Sequence, residues 1–228
     1  MSPEELLEQV ERDHKLFLQY LTDETIDWEF CRNHKGVMIH RCMPLEHDDG
    51  RNHVFLGEAI FKASLEKVSH MIHPCAPYRI QWDTILLKLN VLKKISSSIL
   101  IVQHMVKPQM LGLINKRDSV DLLSFGSFGP GNRHLSMSSI DFPDCPPEHG
   151  FVRAWSYPSG VMLDSLKDTE STRVRCLFHA DYNMPYLMPI SLIDAAMPRE
   201  LQSFFQKFRD ASQNMELTEC MPLHGWSK

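Results

Sequence analysis

The segment Ser98 to Phe128, SILIVQHMVKPQMLGLINKRDSVDLLSFGSF, decides the fold. Its opening residues repeat with a period of two and put Leu100, Val102, His104 and Val106 on one face of a strand through Lys107. Ser119 to Phe128 reads as the next strand, with Ser119, Asp121 and Leu123 sharing a face. Between them, Lys107 to Lys116 holds Met110, Leu111, Leu113 and Ile114 bracketed by lysines. Such a loop either touches a membrane with its apolar tip or packs its leucines on a neighbouring helix.

Further strands are expected downstream at Leu135 to Phe142, Gly150 to Tyr157, Val161 to Leu166 and Arg173 to Tyr182, and just upstream at Leu86 to Lys94. Earlier still lies a meander at about 27 to 33, 36 to 43 and 52 to 62, with polar turns at Asn33 to Gly36 and Asp48 to Asn52. Gly126 to Asn132 is a glycine-rich hairpin turn. Many strands in succession without alternating helices require an antiparallel, strongly curved sheet.

Three helical stretches interrupt or flank the strands. Ser2, Pro3 and Glu5 form a helix start, with serine as N-cap, proline at the first position and glutamate placed to close a capping box. Leu6, Leu7, Val10, Phe17, Tyr20 and Leu21 then form one apolar stripe. A short helix from about Ser64 to Ile72 precedes a proline-broken segment, Pro74 and Pro77, that leads to Trp82 and Asp83. The last helix, from Pro189 to about Ser212, carries Ile193, Met197, Leu201, Phe204, Phe205 and Phe208 at helical spacing. Pro198 predicts a kink or a fresh start after Met197, and thus a hinge. Residues 213–228 have weak periodicity and read as a short flexible tail behind one domain spanning 1–212.

Composition narrows the function classes. A 43% hydrophobic, 23% charged chain of 228 residues is ordinary globular material able to bury a sizeable core. A net charge of −5 argues against nucleic acid as a partner. The acidic, amphipathic start is neither a signal nor a transit peptide, no apolar run approaches the roughly 20 residues of a membrane span, and six scattered cysteines suit reduced thiols. A cytoplasmic monomer is expected.

Signals for other chemistry are weak. Cys31, His34, His40 and Cys42 alternate across a hairpin, so no metal is expected there, nor at His70, His73 and Cys75. Gly126, Gly129 and Gly131 lack the Lys and Ser/Thr of a phosphate loop. No G-x-S-x-G elbow occurs and no nucleophile is flanked by a base, so no enzyme and no cofactor are expected; His104 with Asp121 is the one pair an enzyme reading would test.

Read in order, Trp28, the W-D pair Trp82 and Asp83, R-D-x-V-D-L at Arg117 to Leu122, C-P-P-x-x-G-F-V-R at Cys145 to Arg153, Y-P-S-G at Tyr157 to Gly160 and the closing amphipathic helix resemble the StAR-related lipid transfer (START) domain family. The match spans about residues 15 to 212, and its motifs look most like the small single-domain cytosolic members that handle cholesterol, oxysterols or bile acids. The resemblance implies an α+β helix-grip fold. In it, about nine antiparallel strands curve around a long C-terminal helix over an internal apolar tunnel, with an Ω-loop beside the entrance. It further implies a lipid-binding and transfer protein that encloses one sterol-like ligand and touches membranes transiently. A phosphatidylcholine-type carrier and a helix-grip enzyme are the alternatives. One departure stands out. Where mitochondrial cholesterol-delivering members pair an acidic residue with an arginine, this chain has His104 and Leu123.

Within that frame the ligand-binding residues expected are Trp82, Leu100, Val102, His104, Leu111, Asp121, Leu123, Ile193, Met197, Leu201 and Phe205. Apolar walls supply affinity, since burying on the order of 400 Å² of ligand contributes roughly 10 kcal/mol before the costs of binding. Polar side chains set orientation. His104 is either that inward contact or a core histidine bonded to protein, and Asp121 with Ser119 faces either inward or outward. Ile193, Ala196, Met197, Leu201 and Phe205 are either ordinary core or the tunnel's roof. Arg117 and Asp118 read as an ion pair or turn cap fixing the loop's exit.

Overall fold

A computed structural model of the chain describes residues 2–46, 53–109, 112, 114–167, 169–184, 190–218 and 222–226. In chain order the elements are α1 (Pro3–Thr22), β1 (Glu29–His34), β2 (Val37–Cys42), β3 (Val54–Phe61), α2 (Leu65–Ile72), α3 (Arg79–Trp82), β4 (Leu86–Lys94), β5 (Ile99–Val106), β6 (Arg117–Gly126), β7 (Asn132–Ser139), β8 (Val152–Arg153), β9 (Trp155–Ser156), β10 (Ser159–Ser165), β11 (Thr172–Phe178), β12 (Ala180–Asp181) and α4 (Ile190–Asn214). Nine strands form one antiparallel sheet in the order β1-β2-β3-β11-β10-β7-β6-β5-β4. Strand β8 adds a short parallel pairing to the start of β6, and β9 with β12 makes a separate ribbon.

Helix α1 begins where the capping box requires: the Ser2 hydroxyl accepts from the Glu5 amide and the Glu5 carboxylate accepts from the Ser2 amide. It lies on the sheet's outer face. Leu6 packs with Ile99, Ile101, Val120, Leu122 and Ile140, while Leu16, Phe17 and Tyr20 pack with Cys42, Val54, Met162 and Leu177. Phe17 sits directly on Gly160, where a Cβ would leave no room for its ring.

The inner face is covered by α4. Phe205 is fully buried and rests on Gly57 of β3, and Phe208 meets Phe61 edge-on at 5.0 Å and stacks on Trp82 at 5.0 Å. Each large apolar side chain buried this way contributes about 1.5–3 kcal/mol. Of the two outcomes expected at Pro198, the fresh start does not occur: α4 is one helix with Pro198 inside it. A proline there forfeits one backbone hydrogen bond. The packing of Met197, Leu201, Phe205 and Phe208 on either side of the inner sheet residues holds the helix through that loss.

Three strand expectations are corrected. Strand β7 runs Asn132–Ser139, straight out of the glycine turn, so it begins and ends earlier than the expected Leu135 to Phe142, with Leu135 and Met137 in both spans. The stretch read as one strand over Gly150 to Tyr157 is split at Ala154, whose amide donates to the Asp118 carbonyl at 2.8 Å; its two halves pair with different partners, β6 and β12. The strand expected to reach Tyr182 ends at Phe178, and Ala180–Asp181 turns away to pair with β9.

Among the described residues of the stretch expected as a flexible tail, some pack on the domain. Leu223 and Trp226 are buried in the inner core, and the Trp226 indole N–H is shared by the carbonyls of Gly126 and His134 at 3.1 and 3.0 Å. His73 holds the same segment: Nδ1 accepts from the Cys75 amide at 3.1 Å, so Nε2 donates to the His224 carbonyl at 2.8 Å. Burial pushes His73 down to about 4, and the ring therefore stays neutral at physiological pH.

Candidate functional site

Between α4 and the inner sheet face lie two adjoining chambers of about 190 Å³ and about 180 Å³. Both are bounded by Ile85, His104, Val106, Ser119, Met137 and Phe178. The larger continues under α4 along Met197, Leu201 and Phe204, and the smaller runs deeper toward Asp121, Leu123 and Leu135. Strand alternation creates this wall. Successive inward residues of β5 and β6 line up through the register Leu100 with Leu123, Val102 with Asp121 and His104 with Ser119.

The polar groups in this wall form ordered sets. Asp121, 1% exposed, accepts from His104 Nδ1 at 2.8 Å, Ser119 Oγ at 2.6 Å and Ser139 Oγ at 2.7 Å. Burial works to raise its carboxyl, but the hydrogen bond and charge of His104 together with the two hydroxyls outweigh burial and hold it below the usual carboxylate range. The sign follows. Asp121 contributes stability that is fully present above the unfolded value of about 3.9 and is lost as pH falls through the lower folded value. Acid unfolding checks this: the stability gap between the wild type and Asp121→Asn should be constant at neutral pH and shrink below about pH 4, and a gap that widens there would contradict it.

Asp118 is also buried, and Arg153 binds it through two bonds, Nε to Oδ1 at 3.0 Å and Nη2 to Oδ2 at 2.8 Å, with Gln103 Nε2 adding a third at 3.2 Å. Arg117 does not pair with Asp118. It donates to the carbonyls of Tyr182 at 2.6 Å, Asn115 at 3.1 Å and Asn183 at 3.4 Å, tying the exit of the 107–116 loop to the segment after β12. Burial pushes its guanidinium down, partly offset by the charge of Asp181. At the rim, Lys107 Nζ donates to the Thr84 carbonyl at 2.8 Å and Lys207 Nζ to the Thr84 hydroxyl at 2.6 Å, so the loop and α4 are fastened to one exposed threonine.

Of the residues singled out from sequence, His104, Asp121, Leu123, Met197 and Leu201 border the chambers. Leu100, Val102, Trp82 and Phe205 are buried in the core that surrounds them without bordering either one; Trp82 donates its indole N–H to the Met71 carbonyl at 2.7 Å. Leu111, with Met110 and Leu113 of the supposed apolar tip, and the side chain of Ile193 lie outside the described residues. Ile114 is buried and its backbone bridges to Gln109, so it is not part of an exposed tip. Sequence reasoning passed over Met137, Phe178 and Phe204. Met137 lay inside the expected strand Leu135 to Phe142, two residues from Leu135 and on its face, and Phe204 shares a helix face with Leu201 at a spacing of three.

Among the described residues, no three or more His, Cys, Asp or Glu side chains gather as metal ligands, and no helix is long and apolar enough to cross a membrane. The sequence matches the START domain over residues 32–217. It is 26% identical over 196 residues to human StAR-related lipid transfer protein 5, covering 85% of this chain and 89% of the relative, and 27% identical over 213 residues to the mouse protein of that name, covering 92% and 97%. Among solved structures, human StAR-related lipid transfer protein 5 superposes with a TM-score of 0.85 at 24% identity, covering 93% of this chain and 98% of that one. Human STARD10 superposes with a TM-score of 0.74 at 17% identity, covering 87% and 79%. Both likenesses are of the fold.

Proposed function

The chain belongs to the START domain family, and we propose that it is a non-catalytic cytoplasmic carrier that encloses one sterol-like lipid and shuttles it between membranes as a monomer. The observation that carries this reading is the pair of chambers beneath α4, whose combined size falls in the range of roughly 300–1,000 Å³ usual for small-ligand pockets. Most of the wall's surface is apolar, and among its polar side chains His104, Ser119 and Asp121 are held by one another, which suits a rigid ligand with one or two polar groups.

His104 belongs to this reading as the polar contact inside the apolar wall. Its partner is Asp121 on the next strand, in place of the acid–arginine pair the resemblance would have put there. That change favours a class wider than cholesterol, including oxysterols and bile acids. Transfer requires the rim to part, and the two lysine bonds to Thr84 are the ties that would break as α4 moves from the 107–116 loop.

Competition with a fluorescent sterol tests the ligand class. Cholesterol, an oxysterol or a bile acid should displace the probe at micromolar or lower concentration, and phosphatidylcholine should not. Displacement by phosphatidylcholine alone would end the sterol-class reading and leave the carrier.

A further inference from the structure

We infer that Asp121 fixes the tautomer of His104 and thereby makes the cavity select a ligand that donates a hydrogen bond, an alcohol rather than the corresponding ketone. The inference rests on the carrier reading above and adds to it the chemistry of the polar group.

An ionised carboxylate has no proton to give, so the 2.8 Å bond between Asp121 Oδ2 and His104 Nδ1 places the ring proton on Nδ1. The two serines reinforce this arrangement. Ser119 and Ser139 both donate to Asp121, consuming carboxylate lone pairs and holding its plane, and Asp121 is 1% exposed. In the singly protonated form of the ring, Nε2 is left with a lone pair. Among the described residues Nε2 has no hydrogen-bond partner, and the ring borders both chambers. A ligand hydroxyl meets that lone pair with its proton. A ligand carbonyl meets it lone pair to lone pair, and its oxygen loses water without gaining a donor.

The other charged groups in the wall do not supply a competing donor to this position. Arg79 is bound to Asp83 at 2.6 Å, Lys207 donates to the Thr84 hydroxyl at 2.6 Å, and the Arg117 donors are committed to carbonyl oxygens and the Met184 sulfur. His104 is therefore the group whose protonation pattern decides what the deep end of the ligand must offer. Asp121 is a positioning residue, acting on the ligand through the imidazole.

The geometry makes a sharp prediction for Asp121→Asn. The amide oxygen can still accept from Ser139, and the amide nitrogen then faces His104 Nδ1 and Ser119. A donor at Nδ1 forces the proton to Nε2, as happens when the aspartate of a catalytic triad is replaced by asparagine. The discrimination should then disappear, since an N–H donor serves an alcohol oxygen as well as a ketone oxygen.

The test is binding of cholestanol and cholestanone, which share a skeleton and differ in one polar group. The wild type should prefer the alcohol by about tenfold, the usual effect of one buried hydrogen bond. Asp121→Asn and His104→Leu should each bind the two about equally. Nitrogen-15 imidazole shifts of the unaltered protein give an answer independent of how well any variant folds: His104 should show a protonated Nδ1 and an unprotonated Nε2. Equal affinity of the wild type for both steroids, or a proton on Nε2 in the neutral ring, overturns the inference and leaves the carrier reading standing. Retention of neither steroid removes both.

Discussion

Arg153→Leu is expected to lower the free energy of unfolding by about 3–5 kcal/mol, the cost of leaving a buried charge without its partner. The carboxylate concerned, Asp118, has a side chain with no solvent exposure and receives two of its three hydrogen bonds from Arg153. Gln103 remains, but one neutral amide cannot replace a bidentate guanidinium. The position magnifies the loss, because Asp118 also accepts from the Ala154 amide, where the chain passes from β8 to the β9 ribbon. A urea titration measures the effect. Replacing both partners with leucine should recover much of it, since no charge is then stranded; a single variant costing under about 1 kcal/mol would show that the pair does not hold this region.

Phe205→Ala should cost a similar amount, about 3–5 kcal/mol, by opening a cavity where α4 meets the sheet. Phe205 is fully buried, stands edge-on to Phe61 with ring centres 6.4 Å apart, and occupies the space that any side chain at position 57 would need. The reciprocal change, Gly57→Ala, places a methyl group inside the Phe205 ring and should cost roughly 1–3 kcal/mol through overpacking. The two changes share one volume. Their combination should therefore be less damaging than the sum of the singles, with a coupling of about 0.5 kcal/mol or more, and strict additivity in a double-mutant cycle would mean that the ring and the glycine do not form the grip.

Much of this architecture was legible in the chain. The capping box placed the start of α1 to the residue, and the period-two pattern of Ser98 to Lys107 put His104 on the inward face with Leu100 and Val102. What periodicity could not do is separate wall from core. Leu100, Val102 and Leu123 all face inward, and only Leu123 borders a chamber, because that depends on where the rings of α4 stop. Nor does a single strand's pattern state its register against the next. The diagonal placement of His104 and Asp121 across β5 and β6 brings their side chains to 2.8 Å; the sequence singles the two out as a pair, and the strand register supplies the reason they meet.

The misread segments share a physical cause. Residues 150–157 and 173–182 look like continuous strands, yet each ends where one backbone hydrogen bond is diverted, to Asp118 in the first case and to the β9 ribbon in the second. The segment Pro222–Trp226 has one aromatic and one leucine in a polar context, too few for any periodic signal. It is nevertheless fixed, by an indole shared between two carbonyls and by a histidine that burial keeps neutral. Proline at 198 misled in the opposite direction, since the rule against it concerns an isolated helix and α4 is pinned by its buried face.

Native mass spectrometry of the purified chain after exposure to mixed-lipid vesicles tests the central claim most directly. A single adduct of sterol or bile-acid mass is expected at one per chain, disappearing when an excess of empty vesicles is added. A chain that stays bare at every lipid concentration, or that returns the lipid chemically altered, would contradict it.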